Sequence, residues 1–373
     1  MPPRTRAVPR PAPIVHQDMF TDAALHERPK PDGKATAPKK RSKKPPAPDA
    51  PQPIHAPAEP AAAGGPDVEG LDHQVLAPPR PAPRRPGLIP TDVADSIGPV
   101  LGKAVADIKA HEDGSRRGGD IEHVHKMRVA TRRVRAYLKA ARPALDRVAT
   151  DRLRGDVREL AGTLGVIRDH DVMIDRLHQE AAQLGDPDTG ALEHLISRLE
   201  TERIAGRDRL VSELDDPSYQ ALLTELEEAA AQPPVADPWA DLHELAAREW
   251  RTLRKEQRQL HKTFGRQPPN DELHELRIYG KRSRYAAELL HEKGDVSAFL
   301  EALAGLQEVL GDHQDACVLE DRLRELVDEV GDPHAGIAAG RVIQGCRERR
   351  VVARAAYPAA WKKAEAAARK AFP

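Results

Sequence analysis

Two segments of the chain place a histidine and four cationic residues at the same spacing. Both follow the pattern His-x-x-Arg-x-x-x-(Arg/Lys)-Arg-x-Arg, and we name them the first and the second basic row. Guanidinium and ammonium groups form short, charge-assisted hydrogen bonds with phosphate oxygens. The pattern therefore predicts binding of an anion that carries many charges. The rows consist of His125, Arg128, Arg132, Arg133 and Arg135, and of His274, Arg277, Lys281, Arg282 and Arg284.

The elements that would hold the two rows are amphipathic α-helices. At about 100° per residue, the histidine and the cations three, seven and ten positions later fall within about 80° of one another. The opposite faces are apolar, with Val134 and Leu138 in the first segment and Leu276 and Ala287 in the second. The three cations on each positive face span about 10–11 Å of helix axis, which suits a chain of phosphates better than one phosphate. Lys139 extends the first row by about one turn.

Each basic row begins with a histidine, His125 or His274. Near pH 7 the neighbouring cations favour the neutral imidazole, whereas a bound polyanion favours the imidazolium. We therefore expect binding to become stronger as the pH falls.

A third stripe of cations lies on a predicted helix at the start of the second half, between the two basic rows in sequence. Its members lie opposite several leucines on a predicted helix, and we include Arg254 and Arg258 among the predicted binding residues. A solvated helix face paired with acidic neighbours has the same pattern, and this alternative stays open. The stripe consists of Arg251, Arg254, Lys255, Arg258 and Lys262.

A shorter element also occurs twice. Leu164-Gly165 is followed by Arg168-Asp169, and Leu310-Gly311 is followed by Gln314-Asp315. Glycine loosens a helix, so we expect a bend or a break at each glycine. The aspartates, with Asp171, either hold the arginines in place or cap the helix that follows.

Composition limits the class of protein. The 373 residues carry a formal net charge of −1, so an anion must be bound by local clustering rather than by the overall field. Two cysteines form neither a disulfide framework nor a metal-binding spacing. The N-terminus lacks the apolar core of a signal peptide, and no run of 18 apolar residues occurs. We therefore expect a cytoplasmic protein that does not contact membranes.

Residues 1–90 hold 22 of the 34 prolines. Proline removes amide donors, and this tract has too few large apolar residues to offset the entropy of the chain. We predict a disordered tail. The basic cluster at 39–44 could contact an anionic surface, or the tract could be a soluble linker.

The chain after the tail is predicted to be all-α, because alternating β-branched runs are absent. Helices of similar length follow in the same order on both sides of a proline-rich joint at 232–238. We therefore predict two pseudo-symmetric helical bundles in tandem, at 91–232 and 233–373. The predicted helices are 91–112, 120–142, 146–168, 170–184 and 188–231, the last broken near Pro217, and 239–264, 270–293, 295–310, 312–331 and 334–370.

These motifs, in this order, resemble the CHAD family of histidine-containing α-helical domains over about residues 91–370. The resemblance implies two pseudo-symmetric four-helix bundles whose basic helices line a shared groove or central opening. It also implies that the protein binds inorganic polyphosphate and associates with polyphosphate granules and their other proteins. Two departures are that Gln314 stands where the first half has Arg168, and that Gly280 interrupts the second row. The predicted binding residues are both rows with Lys139, Arg254 and Arg258, supported by Arg168, Asp169, Asp315 and Tyr285.

A metal-dependent phosphohydrolase is one alternative, because His170-Asp171 is a dipeptide that enzymes of the HD class use. Such a site needs further ligands, for which His111, His123 or Asp169 could be proposed. The second half replaces the dipeptide with Asp315-Ala316, and HExxH, phosphate-binding glycine loops and Gly-x-Ser-x-Gly are absent. We therefore expect no catalytic activity, no metal and no cofactor.

Nucleic acid is the second alternative, since phosphate rows do not distinguish polyphosphate from a sugar-phosphate backbone by charge. Proteins that bind single strands stack bases on aromatic side chains. Aromatic residues are only 3% of this chain, and the basic faces offer almost none besides Tyr285. We therefore expect nucleic acid to be an unlikely partner, while a protein partner on the acidic helices stays open.

Overall fold

The computed structural model describes residues 93–185, 187–290 and 295–373. The predicted tail and its basic cluster at 39–44 lie outside this part of the chain. Within it, nine α-helices and no β-strand are present, which confirms the all-α prediction. The helices are α1 (Val93–Arg117), α2 (Ile121–Ala141), α3 (Arg147–Leu184), α4 (Asp188–Asp215), α5 (Pro217–Ala231), α6 (Leu242–Phe264), α7 (Asn270–Glu288), α8 (Asp295–Val330) and α9 (Pro333–Ala371).

Local sequence sets several helix starts. The side chains of Asp120, Asp146 and Asp241 each accept a hydrogen bond from a backbone N–H of the first turn of α2, α3 and α6. The predicted break near Pro217 is confirmed, because α4 ends before it and α5 begins at it. Proline suits a first helical position, where its missing N–H is not needed.

The breaks predicted at Gly165 and Gly311 are wrong. α3 and α8 run without interruption through both glycines, for 38 and 36 residues. One interior glycine costs a helix about 1 kcal/mol relative to alanine. Packing offsets this cost, since each of these helices is buried on both sides of its glycine. Asp169 and Asp315 therefore cap no helix, because each lies inside a continuous one.

The buried apolar residues form three clusters. The first joins α1, α2 and α5 with one end of α3 and of α4. The third joins α6 and α7 with the start of α8 and the end of α9. The middle cluster takes the remaining parts of the four long helices, for example Leu177 of α3 and Leu323 of α8. The division into two pseudo-symmetric bundles stays a prediction, because the middle cluster draws on both of them.

The proline-rich joint is tied to the turn between α2 and α3. The backbone N–H of Asp146 donates to the carbonyl of Pro234 at 2.7 Å. The N–H groups of Ala236 and Asp237 both donate to the carbonyl of Ala144, at 2.9 and 3.0 Å. These bonds hold the start of the second half against the end of the first basic row. None of the described helices has the length and apolar character needed to cross a membrane.

Candidate polyanion-binding site

Helices α2 and α7, which carry the two basic rows, lie against each other. The hydroxyl of Tyr137 on α2 donates to Oε2 of Glu288 on α7 at 2.8 Å. The rings of Tyr137 and Tyr285 also meet edge to face, with centroids 5.9 Å apart. Tyr137 follows His125 by 12 positions and Tyr285 follows His274 by 11. The helices therefore meet at nearly equivalent points, and the two rows lie on neighbouring elements.

The first arginine of the first row is held in place by an acid on α3. Arg128 is 8% exposed, and its Nη2 lies 3.1 Å from Oδ1 of Asp169. The hydroxyl of Thr131 donates to the backbone carbonyl of Arg128 at 3.0 Å. Of the two roles expected for Asp169, pairing with an arginine is therefore the one that the structure contains. Asp171 also pairs, with Arg203 on α4 at 3.3 Å.

The histidine of the first row is buried beside α3. Burial and the nearby guanidinium of Arg168 lower the pKa of His125 to about 4. Burial also lowers the pKa of Arg168, although the carboxylate of Asp171 opposes that shift. His125 is therefore a neutral imidazole near pH 7 in the absence of a ligand.

The second row makes equivalent contacts with α8. The ring of His274 is hydrogen-bonded to the side chain of Gln314, which occupies the position that Arg168 has in the first half. Burial lowers the pKa of His274, and Gln314 opposes that shift. Arg277 is only 1% exposed and lies beside Gly311. Both rows thus begin with a histidine placed against the same position of the following long helix.

Carboxylates from neighbouring turns and helices contact the second row, which the sequence did not reveal. Arg282 pairs with Glu249 of α6 at 3.0 Å and lies over the ring of Tyr279 at 5.4 Å. Arg284 donates from Nε to Glu288 at 2.8 Å and from Nη1 to Gln307 at 3.3 Å. Both arginines therefore face carboxylates in the absence of a ligand. Glu249 could not be foreseen, since no local pattern ties α6 to α7.

The remaining cations of the rows lie between the buried arginines and solvent. Each is partly exposed, so a ligand at the surface can reach it. Arg133 is close enough to Tyr137 to oppose the rise of its pKa that burial and Glu288 cause. This partly exposed set is Arg132, Arg133, Arg135, Lys139 and Lys281.

The third stripe lies on α6, which packs beside both α2 and α7. Arg254 is half-buried, Arg258 is exposed, and Arg251 forms an ion pair with Glu244. A surface groove of about 660 Å³ runs along this helix. Its lining includes Arg251, Arg254, Lys255, Glu256, Arg258, Gln259 and Lys262.

The residues considered for a phosphohydrolase make other contacts. Nε2 of His170 lies 2.8 Å from Oε2 of Glu202, while the Nδ1 atoms of His111 and His123 lie 3.2 Å apart. Across residues 93–185, 187–290 and 295–373, no three histidine, cysteine or acidic side chains are grouped so that they could hold a metal ion. The HD dipeptide and the two other histidines therefore do not assemble into one site in this part of the chain.

Buried Tyr137 and the α9 arginines were not among the predicted site residues. Tyr137 joins the two helices, yet its sequence position suggested only a side chain that points away from the row. Arg354 on α9 donates to the carbonyl of Pro268 just before α7, while Arg347 and Arg350 pair with Glu320 on α8. Their spacing of three and seven positions repeats the spacing within the basic rows and was the available signal.

A family model and a curated protein match parts of this chain. The family model of the CHAD domain matches residues 99–324. An uncharacterized protein of Mycobacterium tuberculosis, found in two strains, is 29% identical over 222 residues. The match covers 57% of this chain but only 42% of that protein, so the chain spans less than half the length of this relative.

Two solved structures share the fold. PptA from Streptomyces chartreusis superposes with a TM-score of 0.61 at 18% identity, over 72% of this chain and 99% of that one. The crystal structure of the CHAD domain from the plant Ricinus communis gives a TM-score of 0.54 at 25% identity, over 76% and 97% of the two chains.

Proposed function

This chain belongs to the CHAD domain family, and we propose that it binds inorganic polyphosphate along its two basic rows. The contact of Tyr137 with Glu288 carries the proposal, because it brings the two cationic helices side by side. Each row offers cations over about 10–11 Å of helix axis. A linear chain of phosphates matches this arrangement better than a single phosphate group.

The cations divide into two roles according to their burial. Arg128 and Arg277 are buried, so they contribute positive potential and fix the geometry of the two basic rows. The partly exposed cations contact phosphate oxygens directly, and His125 and His274 become donors when a polyanion raises their proton affinity. Asp169, Asp315, Arg168 and Tyr285 support the rows. The proposed contacts are Arg132, Arg133, Arg135, Lys139, Lys281, Arg282 and Arg284, with Arg254 and Arg258 on α6.

Polyphosphate fits the groove better than a nucleic acid does. Tyr137 is buried and Tyr285 packs against it, so neither ring is available to stack on a base. Long-chain polyphosphate should displace the protein from DNA or RNA at a much lower phosphate concentration than the reverse. Equal competition would favour the nucleic-acid alternative.

We propose a binding role without catalysis, in the cytoplasm and on polyphosphate granules. The assay for the enzyme alternative is hydrolysis of polyphosphate and of nucleoside triphosphates with added Mg²⁺ or Mn²⁺. We expect none. Turnover that His170→Ala abolishes would contradict this part of the proposal. Localisation of the tagged protein in cells that store polyphosphate, compared with cells that lack it, tests the granule association.

A paired substitution tests the binding rows themselves. Arg132→Ala with Lys281→Ala removes one partly exposed cation at the equivalent position of each row. Lys109→Ala with Arg369→Ala is the matched control, since it removes one lysine and one arginine from surface ion pairs on α1 and α9. If about six to eight phosphates are contacted, log K against log salt should slope at roughly −4 to −6.

The row variant should bind polyphosphate at least tenfold more weakly. Its slope should be less steep than that of the wild type by about 1.4, because each lost phosphate contact removes about 0.7 from the magnitude of the slope. The control should behave as the wild type does. A wild-type slope near −1, or equal effects of the two variants, would overturn the proposed site.

A further inference from the structure

Helix α9 carries a third series of arginines with the spacing of the basic rows. Arg347, Arg350 and Arg354 lie at intervals of three and four positions. On a helix they share one face and span about 10.5 Å. We refer to these three residues as the α9 row.

The α9 row ends at Arg354, beside the start of the helix that carries the second basic row. Arg354 donates from Nη1 to the carbonyl of Pro268 at 2.6 Å and from Nη2 to Oδ1 of Asn270 at 2.7 Å. Asn270 is the first residue of α7, and His274 lies about one turn, or 6 Å, further along that helix. The N-terminus of α7 has no side-chain cap, so its amide dipole adds positive potential between the two rows, opposed by Asp271 and Glu272 in the same turn.

A buried histidine marks the same place on α8. His313 precedes Gln314, the residue that is hydrogen-bonded to His274, and it is only 2% exposed. Its Nε2 atom has no hydrogen-bond partner in the described part of the chain. Burial, followed by the charges of Arg354 and Arg350, lowers the pKa of His313 to about 4. A buried nitrogen without a hydrogen-bond partner, beside two guanidinium groups, indicates a place where a polar ligand or water is accommodated.

The α9 row has more positive charge than its neighbours neutralise. The carboxylate of Glu320 is shared by Arg347, Arg350 and Arg324, at 3.1, 2.6 and 2.8 Å. The bonds of Arg354 go to neutral oxygens, and Asp321 is the further acid near Arg350 and Arg324. The side chains of Arg347 and Arg324 are about half exposed, so an external anion can reach them.

We propose that a polyphosphate chain that fills the second basic row continues past the N-terminus of α7 and onto the α9 row. This inference rests on the proposed function. Arg354 forms the junction, and Arg350 and Arg347 hold the phosphates that extend beyond His274. The site therefore selects for chain length, because only a chain longer than the α2 and α7 rows reaches α9.

The test compares two variants of α9 that are matched in position and exposure. Arg347→Ala removes a side chain that is 51% exposed and pairs with Glu320. Arg341→Ala removes one that is 55% exposed and pairs with Asp188. Affinities are measured for a short and a long polyphosphate, the short one chosen to cover one row only. Arg347→Glu is a second variant that places a like charge on the path of the ligand.

We expect Arg347→Ala to weaken binding of the long chain about tenfold, the loss of one charge-assisted contact, and to leave the short chain unaffected. Arg347→Glu should weaken the long chain further, and Arg341→Ala should change neither affinity. Equal effects of Arg347→Ala and Arg341→Ala on the long chain would overturn the α9 path, as would an equal loss for both chain lengths.

The same experiment separates this inference from the proposed function. The row variant Arg132→Ala with Lys281→Ala should weaken both chain lengths. If it weakens both while Arg347→Ala weakens neither, the rows bind polyphosphate and only the α9 path is wrong. If the row variant has no effect, the proposed function itself is wrong.

Discussion

Arg128 and Asp169 form an ion pair of 3.1 Å between α2 and α3, with side chains that are only 10% and 11% exposed. Breaking a buried ion pair by removing one partner is costly, because the other charge stays in a place with little access to water. Because Arg128 and Arg277 are both buried, a binding test should avoid them. Truncating either guanidinium alters the packing of the helices as well as the binding of the ligand.

The first prediction concerns the stability that this ion pair controls. Asp169→Asn should lower the free energy of unfolding by about 3–5 kcal/mol, since it leaves the Arg128 guanidinium buried beside a neutral amide. Asp151→Asn, on the same helix, is the control. Asp151 pairs with Arg142 where both side chains are about 40% exposed, so its loss should cost at most about 1 kcal/mol. Urea unfolding measures both, and similar small losses would show that Arg128 is not dependent on Asp169.

The second prediction concerns Glu288, which occupies the guanidinium of Arg284 and accepts from Tyr137. Glu288→Gln should tighten polyphosphate binding by up to about fivefold, because a partly exposed ion pair contributes about 0.2–1 kcal/mol that the ligand no longer has to displace. The amide oxygen of glutamine can still accept from Tyr137, so the contact of α2 with α7 should persist.

Glu365→Gln is the control for that change, because Glu365 also pairs with an arginine one helical turn away, on α9. In an equilibrium titration, the Glu365→Gln variant should bind polyphosphate with the affinity of the wild type. Weaker binding by Glu288→Gln would mean that the carboxylate positions Arg284 for the ligand and does not compete with it.

The third prediction concerns a glycine inside the second basic row. A Cβ at Gly280 would lie 3.9 Å from Cγ of Gln307, an ordinary contact, while α7 continues through this position. Gly280→Ala should therefore stabilise the protein by up to about 1 kcal/mol. Gly114→Ala should destabilise it, because a Cβ there would overlap the ring of His123. Thermal unfolding distinguishes the two, and a loss of stability in Gly280→Ala would show that the row needs the flexibility of glycine.

The sequence was sufficient to predict which helices carry the cations. With about 3.6 residues per turn, Arg128 and Arg132 fall on one face of a helix and Val134 on the opposite face. This is a local property of the sequence, and α2 and α7 form where it predicts. The prediction of breaks at Gly165 and Gly311 was wrong because tertiary packing decides whether these helices continue. Glycine is unfavourable in an isolated helix, but α3 and α8 each extend from one apolar cluster into another.

The partners of the cations depend on which helices become neighbours, and no spacing along the chain encodes that choice. Asp169 could be proposed as a partner because it belongs to a repeated motif. Glu249 belongs to none, and its pairing with Arg282 follows from the packing of α6 beside α7. The α9 row has the visible spacing of a basic row, yet only the bonds of Arg354 to Pro268 and Asn270 place it next to α7.

The fourth prediction concerns the dependence of stability on pH. The pKa values of His125 and His313 are both lowered to about 4, mainly by burial. The unfolded chain, with a histidine pKa of about 6.5, therefore takes up protons first as the pH falls. Stability should be full above about pH 6.5 and should decrease between that value and about pH 4. At about pH 5 the loss should be roughly 2 kcal/mol for each histidine.

The carboxylates whose pKa is lowered act in a lower pH range, which separates their contribution from that of the histidines. Ion pairs and hydrogen bonds lower the pKa of Asp151 and of Asp332, so the stability they provide is lost only below about pH 4. Urea unfolding at about pH 7.5 and about pH 5 should thus report the histidines. His313→Gln should remove roughly 2 kcal/mol of the difference, because it deletes one of the imidazoles whose pKa burial lowers. His261→Gln changes an exposed side chain and should leave the difference intact. A difference that persists in full in His313→Gln would place the proton uptake elsewhere in the protein.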